Sequence, residues 1–93
     1  MAPLNMRRQT MTRKEALLGV FNIGIYTDTI TTVLLSVKHK DYPRAEIIAV
    51  PRENFELKAK YIAEYYNEEL VLKNCEDIKI VNVRAINKEG GAV

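Results

Sequence analysis

Across residues 54–74 the apolar side chains recur at steps of three and four. Phe55, Ala59, Ile62, Ala63, Tyr66 and Leu70 therefore line up, at about 100° per residue, as one stripe along an α-helix. Glu56, Lys60, Glu64 and Asn67 fall on the opposite side, with Glu56 and Lys60 four apart in the order that favours an ion pair. Asn54 is placed to cap this helix, Glu56 lies in its first turn facing the positive end, and Lys73 with Asn74 closes it. A helix with a single apolar stripe is stable only when the stripe is covered. The rest of the chain must supply that cover, and its composition predicts a small β-sheet.

Ninety-three residues build one domain with one modest core, because a chain of this size buries only roughly two thirds of its unfolded surface. Apolar residues make up 47% and charged residues 28%, the balance of a globular chain rather than a disordered or disulfide-built one. The lone cysteine, Cys75, has no partner for an internal bridge; this fits a reducing compartment and makes the cytoplasm the expected location.

Residues 1–11 carry Arg7 and Arg8 with no acid and no periodicity, and read as a flexible basic arm, with Met11 a second candidate start. Thr12 and Glu15 have the spacing of a capping box. A helix is expected from there through Leu17, Leu18 and Phe21, ending at Gly24 after two or three turns. The basic residues ahead of it have the charge order of a secretion signal, but Asn22 interrupts the apolar run and no clean small-x-small site follows. Asn22, Asp28 and the neighbouring threonines also break any window of about 20 apolar residues that a membrane span requires.

Residues 26–37 fit both the helical and the strand period. The consecutive β-branched residues Thr29, Ile30, Thr31, Thr32 and Val33 decide for a strand, where branched side chains keep their rotamers and pack on the pleat. Residues 38–44 are polar, and Tyr42-Pro43 bars a helix across them, so they read as a hairpin connection. Residues 45–50 form a second strand ended by Pro51. Residues 78–86 form a third, with apolar residues on both faces, which predicts that it is covered twice or bulged. Residues 88–93 read as a tail. The expectation is an α+β domain over residues 12–87: a small mixed sheet of about three strands, one long amphipathic helix packed on it, and a short N-terminal helix.

Groups able to do chemistry are few. Cys75 stands beside Glu76 and Asp77, whose charge opposes the thiolate a nucleophile needs. His39 lies between Lys38 and Lys40 and reads as a solvated loop residue, and neither a His-x-x-x-His nor a Cys-x-x-Cys pair offers metal-ligand spacing. Glu64 and Glu68, four apart, read as a solvated helix face. Gly90-Gly91 opens no helix, so no phosphate loop is expected. The reading is therefore of a non-enzymatic protein without metal or cofactor.

Two constellations point to binding. Leu57, Tyr61 and Tyr65 lie in a line beside the core stripe, bordered by Lys58 and Glu68, and tyrosines are enriched where proteins meet. The alternative is a nucleic-acid interface made by Lys38, His39, Lys40, Tyr42 and Arg44 in the hairpin with Arg7, Arg8 and Arg13 in the arm, where cations meet phosphates and Tyr42 stacks on a base. Residues 1–52 hold eight Lys and Arg against four acids, and residues 53–93 hold six against eight, so an acidic partner would be steered to the front half. The sheet edges are a third route, open to a strand from a partner or from a second copy in a homo-oligomer.

In overall texture, a compact chain with a basic front and one long helix of Lys, Glu and Tyr, the sequence resembles the small accessory proteins of bacteriophages and prophages. That resemblance implies a non-enzymatic protein that binds and modulates a host or phage factor, of inhibitor or adaptor type.

Overall fold

The computed structural model describes residues 11–89. The expected basic arm with Arg7 and Arg8, and residues 90–93, lie outside the described residues. The order of elements is helix α1 (Arg13–Tyr26), strand β1 (Ile30–His39), strand β2 (Glu46–Pro51), a single 3-10 turn (Arg52–Asn54), helix α2 (Phe55–Tyr65) and strand β3 (Ile78–Asn87). This is an α+β domain in which β1 lies between β2 and β3 and is antiparallel to both. The sheet is thus wholly antiparallel rather than mixed. The strand reading of the β-branched run holds, although Tyr26 ends α1 and β1 begins at Ile30.

The capping box at the start of α1 is formed in both directions: Glu15 N–H donates to Thr12 Oγ1 at 3.1 Å, and Thr12 N–H donates to Glu15 Oε1 at 3.0 Å. The helix does not stop at Gly24. It continues to Tyr26, and Gly24 lies buried within it, where a Cβ would stand 2.6 Å from the Phe55 ring. The glycine therefore permits a close helix crossing, not a left-handed turn. Phe21 and Phe55 meet edge to face beside it, with ring centroids 5.6 Å apart.

The largest correction concerns the second helix, expected over residues 54–74 but ended at Tyr65. Asn54 makes no side-chain cap, and Tyr66 is already extended, with φ −113° and ψ 145°. Asn67 accounts for the break. Its Oδ1 accepts the N–H groups of Glu69 and Val71 at 2.9 and 3.0 Å, offering the backbone a turn in place of helical bonds. Leu70 follows with φ 66°, a left-handed conformation that costs a non-glycine residue roughly 1–2 kcal/mol. Burial of the Leu70 side chain, 4% exposed, is worth roughly 1.5–3 kcal/mol and offsets that strain. Tyr66 and Leu70 still reach the core, but from a turn and not from a helical stripe.

The core lies between one face of the sheet and the two helices. Val33 stands opposite Val50 and Ala85, and Leu35 opposite Ile48 and Val83, all packed with Leu17, Phe21, Phe55 and Ile62. Irregular register between Ser36 and Val37 lets β3 turn apolar residues both ways, the second of the two arrangements its sequence left open.

Candidate functional site

The connection from β2 to α2 is one 3-10 turn, so the first turns of the helix are held beside the outer strand. Between them runs a groove of about 330 Å³ lined by Ile48, Pro51, Asn54, Leu57, Lys58 and Tyr61, among others. Leu57 is 70% exposed in its lining and Tyr61 43%, and Tyr65, one turn further along α2, is 42% exposed. The two tyrosine rings lean on each other with centroids 4.8 Å apart, and the Lys58 ammonium lies 5.2 Å from the centre of the Tyr61 ring. Tyr61 also meets the edge of buried Tyr66. Loss of water around Tyr66, and then the nearby Tyr61 phenol, push the Tyr66 hydroxyl pKa up.

Leu57, Lys58, Tyr61 and Tyr65, expected as a binding flank, are therefore gathered on one side of α2. The strand edge, expected as a separate route, proves to be the opposite wall of the same groove. Among the described residues β2 has a partner only on its β1 side, and alternate residues of such a strand turn their N–H and C=O groups outward. Ile48, Pro51 and Asn54 were not anticipated as lining residues. The short stretch between Pro51 and Phe55 was the available signal, since it leaves the helix no room to swing away from the strand.

The basic hairpin is arranged differently. Lys38 Nζ donates to the carbonyls of His39 and Tyr42. Lys40 Nζ pairs with Asp77 Oδ1 at 3.4 Å. Tyr42 packs against His39 with ring centroids 4.9 Å apart. Arg44 is exposed, and Arg13, at the head of α1, donates to the Val81 carbonyl at 3.3 Å. Of the candidate nucleic-acid residues that are described, Arg13, Lys38 and Lys40 already hold partners.

His39 also approaches Asp41 and Asp77, with one potential ligand atom of each lying within 4.8 Å of the others. Sequence spacing gave no sign of this trio, because Asp77 arrives from the far end of the chain. Asp41 N–H donates to His39 Nδ1 at 3.1 Å, so the neutral ring carries its proton on Nε2, and Lys40 already neutralises Asp77. These contacts fasten the hairpin tip to the start of β3. Glu68, read as part of a helix face, instead lies beyond α2, where it accepts from Thr12 Oγ1 at 2.8 Å and faces Lys14. Cys75 is half-buried in the turn before β3, and no hydrogen bond joins it to His39. No helix among the described residues is long and apolar enough to cross a membrane. No protein-family model, curated protein or solved structure matches the chain.

Proposed function

We propose that this protein is a non-enzymatic binding module, of inhibitor or adaptor type, that takes an extended segment of a protein partner into the groove between β2 and α2. The observation that carries this reading is the junction of an unpaired strand edge with an exposed Leu57, Tyr61 and Tyr65 flank. The edge supplies main-chain hydrogen bonds, and the groove supplies pockets for alternate side chains. Tyrosines add rigid contact area at low entropic cost. A phage-encoded accessory protein working in the cytoplasm fits this mode of action. The engaged state of Lys38, Lys40 and Tyr42 favours a protein partner over a nucleic acid.

The test is selection of extended peptides from a random library, followed by amide chemical shifts of the labelled protein with each peptide bound. Selected peptides should move the β2 and α2 resonances and lose their binding to the Leu57→Ala/Tyr61→Ala double variant, whose circular dichroism stays unchanged. Peptides that bind that variant equally well would sink the reading.

A further inference from the structure

The face of the sheet turned away from the helices has a composition that a merely solvated face does not need. Register places Leu34 opposite Ala49 and Arg84, Ser36 opposite Ile47 and Asn82, and Thr32 opposite Pro51 and Ile86. Side chains directly opposite share a face, so these residues stand together, across the sheet from Val33 and Leu35. Ile47 is 59% exposed, Ala49 is exposed, and Leu34 and Ile86 are half-buried. A solvated antiparallel face normally alternates to polar residues at such positions.

The charges of this face are of one sign. Past the register shift Lys38 stands opposite Lys79 and extends this face. Lys79 and Arg84 are exposed, no position in the paired register of this face is acidic, and no ion pair or side-chain hydrogen bond engages Lys79 or Arg84 among the described residues. Of the other described cations, Lys14 faces Glu68, Arg52 and Lys88 share Asp28, and Lys40 holds Asp77; Arg44, Lys60 and Lys73 are exposed and unpaired but lie outside the paired register of this face.

We propose that this open sheet face is a second docking surface, whose occupant is an acidic amphipathic helix of a protein partner. Its apolar side lies on Leu34, Ile47, Ala49 and Ile86, and its carboxylates meet Lys79 and Arg84. A helix laid there completes the third layer that the fold lacks. A second copy docking by the same face would set Lys79 and Arg84 against their own kind. A nucleic acid would satisfy the cations, but the face offers no aromatic ring on which a base could stack. A bilayer would meet Leu34 and Ile86 half-buried in the sheet and not projecting as a wedge. The surface meets the β2 and α2 groove at Ala49 and Pro51, but Lys79 and Arg84 lie on β3, away from that groove, and their variants leave Leu57 and Tyr61 in place.

The experiment is fluorescence anisotropy of a labelled synthetic helix with leucines on one side and glutamates on the other, against the full chain at physiological salt. The same helix with lysines for glutamates, a single-stranded oligonucleotide and phosphatidylserine vesicles serve as comparators. The acidic helix should bind at sub-millimolar concentration, and the Lys79→Glu/Arg84→Glu variant should bind it about tenfold or more weakly. The Leu57→Ala/Tyr61→Ala variant should bind it unchanged. Equal binding of the lysine helix, unchanged binding by the charge-reversed variant, no binding at all, or tighter binding of oligonucleotide or vesicle would each overturn the proposal.

Discussion

The two outer strands of the sheet meet opposite fates. The outer edge of β3 is sealed at its start by the chain itself: Leu72 N–H donates to the Ile78 carbonyl and Ile80 N–H to the Leu70 carbonyl, both at 2.9 Å. Arg13 caps the next carbonyl, that of Val81. The outer edge of β2 has no such cover among the described residues and borders the apolar groove. An unpaired edge invites another chain, and proteins without a use for it blunt it with charge, bulges or a covering segment. The β3 edge shows that this fold can cover an edge with a short turn. The short β2, bounded by Glu46 and Pro51, is left open beside an exposed Leu57 and Tyr61, which is the arrangement the proposed binding mode uses.

Removing the seal should have the largest effect on the protein itself. Leu70→Ala takes a buried side chain from the turn that covers β3 and should cost about 2–4 kcal/mol, read as a lower urea midpoint. Faster exchange of the Ile80 amide would show that the edge had opened. Asn67→Ala acts at the same place but removes only the two hydrogen bonds that end α2, at a cost of about 1–2 kcal/mol. If the helix then lengthened towards residue 74, as circular dichroism would show, the side-chain competition of Asn67 would be proved to be its stop.

Equivalent changes on the open edge should leave the fold alone. Ile47→Lys places a charge on β2 and should alter stability by no more than about 0.5 kcal/mol, because Ile47 is largely exposed. A fall there as large as that of Leu70→Ala would erase the contrast between the edges. The smallest effect is expected at Asp28, which ties the ends of both outer strands by pairing with Lys88 at 3.1 Å and Arg52 at 3.6 Å. The hydrogen bond and charge of Lys88, then the charge of Arg52, hold its carboxyl below the ordinary aspartate value. A depressed folded value means stability that is present above the unfolded value and lost as pH falls through the folded one. Carbon-detected titration should find Asp28 below the ordinary value in the native chain and raised in Lys88→Ala.

Much of the framework was legible from local residues. Thr12 and Glu15 announced the start of α1 because a capping box is satisfied within one turn, and the β-branched run announced β1 because χ1 stiffness acts residue by residue. The Leu57, Tyr61 and Tyr65 line was also legible, since 3.6 residues per turn fixes which side chains share a flank. The end of α2 was not. Periodicity cannot separate a buried leucine in a helix from one in a turn, and the competing signal was a single asparagine. Gly24 was misread for a related reason, as a glycine that ends a helix and one that admits an aromatic ring look the same in sequence.

The order and kind of the elements were determined by the sequence alone through backbone propensity and side-chain spacing, though not the extent of α2 or the direction of pairing throughout the sheet. Tertiary structure decided what the residues of each element face. Only the pairing of β1 with both neighbours shows that β2 is left open, that its edge and the tyrosine flank form one groove, and that Lys79 and Arg84 share a face with Leu34 and Ile47. Such juxtapositions depend on contacts between residues far apart in the chain, whose energies no local pattern encodes.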